Sequence, residues 1–168
     1  MPRNPYFSEF SYGYAVTENL VMGQGSSVTV APIFPSLIKE AQVGFDVLIS
    51  RPSIPLFLQF KLAHLISRRN ASEARAGDFD PPFYRMHLRC TAQSNQHSLL
   101  LAREEEGNNE VLYAAPASHT RAQLNQAYSE GQVWNRSFTL RPSQIGPLTE
   151  GDHYVAFQFP GHWQSYSE

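Results

Sequence analysis

The amino-acid sequence predicts an α+β protein, an α/β sandwich in which helices flank a mixed central β-sheet. Apolar residues at helical spacing in residues 8–25 indicate a first helix. Apolar and polar residues then alternate over residues 43–50, as in a half-buried strand. Residues 54–61 (IPLFLQFK) are apolar on both faces, as in a strand that is covered on each side. Further helical and strand-like segments follow in mixed order.

The composition is that of an ordinary globular protein. The 168 residues fit a single domain, residues 1–168, since domains of about 100–200 residues are usual. No apolar run approaches the roughly 20 residues of a membrane-spanning helix, and the sequence MPRNPYFSEF lacks the apolar segment of a secretory signal. The single cysteine, Cys90, excludes an intrachain disulfide and a cysteine-rich zinc site. We therefore expect a cytoplasmic protein with no membrane partner.

The first part of the chain is expected to form one helix and three strands. The helix at 8–25 has Ser8 as its N-cap residue and glycines at its end. β-Branched residues predict a short strand at 27–34. The turn-forming sequence RPSIP separates the strands at 43–50 and 54–61, which predicts that these two strands pair in antiparallel fashion.

The remainder of the chain is expected to alternate strands and helices. Aromatic and basic side chains alternate over residues 83–90, as in a half-exposed strand. Asn95 and Thr120 are the expected N-cap residues of two later helices, and a glycine ends each of them. The expected elements are a short helix at 62–69, a strand at 83–90, a helix at 95–107, a strand at 110–118, a helix at 119–131 and extended segments at 137–142 and 153–160.

Charge is unevenly distributed along the chain, although the net charge is only −2. Residues 51–90 contain seven Lys or Arg and three acidic residues, a balance of +4, whereas residues 91–168 contain four basic and eight acidic residues, a balance of −4. A local positive face can contact the phosphate backbone of a nucleic acid. The segment SRRNASEAR has the alternative interpretation of a solvated connector. The candidate nucleic-acid contacts are Arg68, Arg69 and Arg85.

Three polar side chains stand out on the two paired strands. Gln59 and Lys61 project from the same face of their strand, because strand side chains alternate. Asp46 lies on the preceding strand, and pairing through the turn can bring it beside Gln59. Asp and Gln oxygens are suitable ligands for Mg²⁺ or Mn²⁺. A lysine beside a metal-activated phosphodiester can orient water and stabilise the negative charge of the reaction.

The segments GFDVLI and PLFLQFK resemble the core of the restriction-endonuclease-like, or PD-(D/E)XK, nuclease superfamily, and are similar to the QxK variant of Mrr-like nucleases. The resemblance implies a restriction-endonuclease-like fold and hydrolysis of nucleic acid, with DNA expected as the substrate and Mg²⁺ or Mn²⁺ as the cofactor. It makes Asp46 and Gln59 metal ligands and Lys61 the catalytic lysine. A role in bacterial antiviral defence or DNA repair follows from the resemblance alone.

The family also places an acidic residue on the helix that precedes these strands. Glu18 matches this residue best on topology and is the expected catalytic acid, because it lies near the end of the first predicted helix. Glu40, six residues before Asp46, stays open as a further metal ligand. Gln96 matches the polar residue that the family often places near the site from the helix after the QxK strand.

Two other interpretations stay open. A nuclease fold without activity would be a binding or regulatory subunit, with nucleic acid, a protein partner or a second copy of the chain as its ligand. In an unrelated α+β interaction domain, Gln59 and Lys61 would merely mark a strand that enters solvent. The histidines form no i, i+4 pair, and the chain has neither a G-x-S-x-G nucleophile motif nor a glycine-rich phosphate loop.

Overall fold

The computed structural model describes residues 3–23, 28 and 30–167. Within these residues the chain forms six helices and two four-stranded sheets, so the predicted α+β class is confirmed. The helices are α1 (Glu9–Met22), α2 (Leu37–Val43), α3 (Ser72–Ala76), α4 (Gln96–Glu105), α5 (Arg121–Ser129) and α6 (Pro142–Ile145). The strands are β1 (Val47–Ile49), β2 (Leu56–Phe60), β3 (Ala63–Ile66), β4 (Phe83–Leu88), β5 (Glu110–Pro116), β6 (Ser137–Leu140), β7 (His153–Phe157) and β8 (Trp163–Ser167). None of the described helices is long and apolar enough to span a membrane.

The first sheet has the strand order β1-β2-β5-β6 and is mixed. β1 and β2 form the predicted antiparallel hairpin, in which Val47 lies opposite Leu58. β2 runs parallel to β5, with Leu58 opposite Leu112, and β5 pairs in antiparallel fashion with β6. Every residue of β2 is buried, which explains why its sequence is almost continuously apolar.

The second sheet is antiparallel throughout and has the order β3-β4-β7-β8. Two residues, Lys61 and Leu62, connect β2 to β3 and thus the first sheet to the second. The helix predicted at 62–69 is wrong, because this segment begins with β3. There His64 pairs with Arg85 of β4, and this pairing between distant parts of the chain overrides the local sequence preference.

Helix α2 lies in a segment for which the sequence predicted no element, apart from its last residue, Val43, which was assigned to a strand. The side chain of Ser36 caps it, and Gly44 ends it with a left-handed φ of 79°. The predicted strand at 43–50 is therefore shortened to β1. The strand predicted at 27–34 lies partly outside the described residues, and its described part forms an isolated bridge at Ile33.

Apolar cores lie on both faces of the first sheet. On one face, helices α1 and α5 pack against Leu58 and Phe60 of β2 and their neighbours. On the other face, the second sheet and helix α4 pack against Phe57 and its neighbours. The predicted single central sheet is therefore two sheets packed face to face. By alternation, Gln59 shares the face of Phe57 and is directed towards the second sheet.

Helix α1 packs closely against the end of β2. Ser8 caps the helix, as predicted. The ring of Tyr12 meets the ring of Phe60 edge-on, and its hydroxyl donates a 2.7 Å hydrogen bond to Ser137 Oγ. Gly13 leaves room for the same phenylalanine, because a Cβ atom there would come within 2.6 Å of the Phe60 ring. These contacts fix the first half of α1 beside the carboxyl end of β2.

Candidate functional site

The side chains of Asp46 and Gln59 lie together at the open end of the β1–β2 hairpin. Asp46 directly precedes β1, and the register of the hairpin sets it opposite Gln59. Its Oδ2 accepts hydrogen bonds from Gln59 Nε2, at 2.7 Å, and from Phe60 N, at 2.6 Å. The structure therefore brings together the two side chains that the sequence suggests as metal ligands.

Gln59 contains a buried oxygen that lacks a hydrogen-bond partner. The residue is only 1% exposed. Its Nε2 donates to Asp46 and also to the carbonyl oxygen of Phe60, at 3.1 Å. Its Oε1 accepts no hydrogen bond from the described residues. Burying an amide oxygen without a partner costs free energy, so this atom is a candidate ligand for a cation.

Lys61 follows β2 and projects towards the start of helix α4. Its Nζ donates a 2.7 Å hydrogen bond to Oε1 of Gln96, the first residue of that helix. Burial lowers the pKa of the Lys61 ammonium, while the carboxylates of Glu9 and Asp46 act in the opposite direction. The end of β2 and the start of α4 therefore meet at this lysine, which places Gln96 beside Lys61.

Two further carboxylates surround Asp46. Burial raises the pKa of Asp46 to about 7, the Phe60 N–H partly lowers it, and the negative charges of Glu40 and Glu9 raise it further. Burial also raises the pKa of Glu9, against the positive charge of Lys61. We define the carboxylate–lysine cluster as Glu9, Glu40, Asp46, Gln59, Lys61 and Gln96.

Glu18, the helical acid suggested by the sequence, lies away from this cluster. It follows Glu9 by nine residues on α1, which is about 13 Å along the helix axis. Its carboxylate accepts hydrogen bonds from the hydroxyls of Tyr14, at 3.3 Å, and of Tyr128. The acid that α1 brings to the cluster is Glu9, because the first turn of the helix, and not its last, meets the end of β2. The local sequence contains no signal for this choice, because packing between α1 and β2 decides which end of the helix meets the strand.

Glu40, the alternative ligand, lies near Asp46. It belongs to α2, and its carbonyl oxygen accepts a 2.8 Å hydrogen bond from Gly44 N at the end of the helix. The left-handed conformation of Gly44 turns the chain, and Asp46 follows two residues later. The cluster therefore receives one carboxylate from each of three segments: α1, α2 and the start of the hairpin.

The three arginines predicted to contact nucleic acid differ in their surroundings: one is paired with a carboxylate, and two are exposed. Nε and Nη2 of Arg85 donate to the carboxylate of the fully buried Glu73, at 2.6–2.9 Å, and the guanidinium lies 4.5 Å from the ring centroid of Tyr154. Arg85 thus already has a carboxylate partner within the protein, and its contact with nucleic acid stays a prediction. Arg68 and Arg69 are exposed in the turn after β3 and stay candidates.

The cluster offers oxygen donors for a divalent cation. In the described part of the chain, no three Asp, Glu, His or Cys side chains are grouped so that they could hold a metal ion by themselves. The cluster instead combines the Asp46 carboxylate with the unpaired Oε1 of Gln59 and the nearby carboxylates of Glu9 and Glu40. Mg²⁺ binds through one or two carboxylates and keeps several waters. The donor chemistry therefore fits Mg²⁺ or Mn²⁺.

No known protein family, no curated protein and no solved structure matches this chain. The class of protein is therefore defined by the fold and the cluster alone. It is an α+β protein of two packed sheets, with a polar, partly buried group of carboxylates and one lysine at the end of a central strand.

Proposed function

We propose that this protein hydrolyses phosphodiester bonds of nucleic acid, with DNA as its substrate, in a reaction that requires Mg²⁺ or Mn²⁺. The observation that carries the proposal is the placement of Asp46, the unpaired Oε1 of Gln59 and Lys61 at the end of one strand. Oxygen ligands for a cation beside a cationic side chain are the groups that phosphodiester hydrolysis needs.

The oxygen donors of the cluster have two tasks in this proposal: two of them hold the cation, and the others supply negative charge. Asp46 and Gln59 are the residues that would hold the cation, which would polarise the phosphodiester and lower the pKa of a bound water. Gln59 contributes an oxygen but no charge. The carboxylates of Glu9 and Glu40 supply negative charge in its place, since both already act electrostatically on Asp46.

Lys61 acts on the reacting phosphate. Its ammonium stabilises the extra negative charge that develops on the phosphate during hydrolysis. The hydrogen bond to Gln96 Oε1 holds its Nζ in one position. Because burial lowers its pKa, this lysine gives up a proton more readily than an exposed lysine does, and the proton can pass to the leaving oxygen.

A cleavage assay with a matched lysine control tests the proposal. Plasmid and linear DNA are incubated with Mg²⁺ or Mn²⁺ and with the wild type, Lys61→Ala or Lys39→Ala. Lys39 is exposed on α2, so its replacement removes the same charge from a different place. We expect Lys61→Ala to lower the cleavage rate about 100- to 1,000-fold, the usual effect of removing one group that stabilises transition-state charge.

The same assay can contradict the proposal in two ways. One contradicting result is that the wild type cleaves neither DNA with either metal ion, and the other is that Lys61→Ala cleaves as fast as Lys39→Ala. In both cases Lys61 is not the catalytic lysine of a nuclease.

A second candidate function is nucleic-acid binding without hydrolysis. It is favoured by the neutral Gln59 and by the lack, among the described residues, of three acidic, His or Cys side chains grouped for a metal. Binding of DNA that is equally strong in EDTA and in Mg²⁺, together with no cleavage, would identify this function.

A further inference from the structure

Arg89 is an exposed cation beside the carboxylate–lysine cluster. It follows directly on β4 and forms no hydrogen bond or ion pair with any of the described residues. Its charge lowers the pKa values of both Glu9 and Lys61, which places the guanidinium within electrostatic range of the cluster.

The strand register places Arg89 beyond the same end of the β3–β4 pair as Lys61. In the β3–β4 pair, Ala63 lies opposite Met86 and His64 lies opposite Arg85. Arg89 follows Met86 by three residues and Lys61 precedes Ala63 by two, so both residues lie beyond the same end of this antiparallel pair. Beyond β4, the segment of residues 89–96 ends at Gln96, which accepts the hydrogen bond from Lys61 Nζ. One end of this segment is therefore bonded to Lys61, and Arg89, at its other end, lies beyond the same end of the β3–β4 pair as Lys61.

Several other arginines already have partners inside the protein. A guanidinium that is paired with a carboxylate or stacked on rings is less available to a ligand. The engaged arginines are Arg51 with Glu110, Arg85 with Glu73, Arg103 over Phe45 and Phe57, and Arg136 with Glu130.

We propose that Arg89 binds a phosphate of the nucleic acid at the cluster, through its non-bridging oxygens. This inference rests on the proposed function. The carboxylates of Glu9, Glu40 and Asp46 repel a phosphate. Lys61 and the divalent cation of the proposed function together balance these three charges, which leaves no further positive charge to attract the phosphate. The planar guanidinium of Arg89 presents paired N–H donors that match two oxygens of one phosphate. The second sheet thereby contributes a substrate-binding residue to a site that is built mainly on the first.

Equilibrium binding of a fluorescently labelled DNA duplex, followed by anisotropy, tests this role. Ca²⁺ replaces Mg²⁺ in the buffer, so that binding is measured without cleavage. Arg89→Ala is compared with Arg89→Lys and with Arg75→Ala, which removes an exposed arginine from the end of α3. We expect Arg89→Ala to weaken binding about ten- to hundredfold and to lower the dependence of binding on salt by about one phosphate contact. Arg89→Lys should recover part of the affinity, and Arg75→Ala should bind like the wild type.

The inference is overturned if Arg89→Ala binds as tightly as the wild type, if Arg75→Ala loses as much affinity, or if the wild type binds no DNA. Its failure is distinguishable from failure of the proposed function. If cleavage depends on Lys61 but DNA binding does not depend on Arg89, only the inference about Arg89 is contradicted. If DNA binding depends on Arg89 but the protein cleaves no DNA, only the proposal of hydrolysis is contradicted.

Discussion

Asp46 and Gln59 are joined across the β1–β2 hairpin by a 2.7 Å hydrogen bond from Gln59 Nε2 to Asp46 Oδ2. The bond uses the amide nitrogen and leaves the amide oxygen buried without a partner. It also lies beside Glu9 and Glu40, whose charges raise the pKa of Asp46. In the proposed function, a divalent cation at this pair would give Gln59 Oε1 a partner and offset the carboxylate charges.

The raised pKa of Asp46 predicts a distinct pH dependence of stability. In the unfolded chain an aspartic acid loses its proton near pH 3.9, whereas Asp46 in the folded protein loses it at about 7. Between these values only the folded state holds the proton, so the contribution of Asp46 to the free energy of unfolding falls as pH rises. The free energies of unfolding of Asp46→Asn and of the wild type are measured by thermal and denaturant unfolding without metal. From pH 4 to 7 the variant should gain stability relative to the wild type, by at most about 1.4 kcal/mol per pH unit. Asp152→Asn, at an exposed aspartate, should follow the wild type, and parallel curves for all three proteins would contradict the prediction.

A carboxylate in place of the Gln59 amide should couple stability to metal. Gln59→Glu places a second buried acid next to Asp46, so we expect a lower melting temperature without a divalent cation. Because the added charge strengthens cation binding to the folded state, Mg²⁺ should raise the melting temperature more than it does for the wild type. Gln164→Glu, on the exposed strand β8, is the matched control. An equal response to Mg²⁺ in both variants would show that no cation binds beside Gln59.

Close packing of α1 on β2 makes Gly13 sensitive to substitution. Gly13→Ala would place a methyl group 2.6 Å from the Phe60 ring, which costs about 1–3 kcal/mol through overpacking. Phe60→Leu should relieve the clash, so the double variant should lose less stability than the sum of the two single variants. Urea unfolding of all four proteins measures this coupling. Strict additivity would contradict the described contact between helix and strand.

The Glu73–Arg85 pair should contribute far more to stability than a half-exposed pair. Glu73→Ala removes the fully buried carboxylate and leaves the largely buried Arg85 side chain without its partner, which costs about 3–5 kcal/mol. Glu110→Ala removes the partner of the more exposed Arg51 and should cost about 0–1 kcal/mol. Denaturant unfolding of both variants checks this order. A smaller loss of unfolding free energy for Glu73→Ala than for Glu110→Ala would show that the ion pair between Glu73 and Arg85 contributes little to stability.

Local sequence signals predicted the hairpin and the starts of α1, α4 and α5. Alternation with a period of two places Gln59 and Lys61 on one face, and the RPSIP turn sets the strand pairing that brings Asp46 opposite Gln59. The N-cap residues Ser8 and Thr120 both accept hydrogen bonds from the first turns of their helices. These features depend on residues that are close in sequence, so they can be recognised without knowledge of the rest of the fold.

The failures involve contacts between distant segments. β3 is a strand because β4 pairs with it, and nothing in residues 62–69 indicates that partner. α2 has no buried residue, with Leu37 and Ile38 largely exposed, so no apolar stripe marks it as a helix. Glu9 was missed in favour of Glu18 because packing at Gly13 decides which end of α1 meets β2.

Manganese binding in a crystal tests the central claim most directly. Crystals of the wild type are soaked in Mn²⁺, and its anomalous scattering locates the ion without reference to the protein density. We predict a manganese peak within bonding distance of both the Asp46 carboxylate and Gln59 Oε1, with Glu9 or Glu40 on the same ion or on its waters. The contradicting result is a crystal at saturating Mn²⁺ with no manganese peak at Asp46. In that crystal the hydrogen bond from Gln59 Nε2 to Asp46 would be intact and Gln59 Oε1 would still lack a partner.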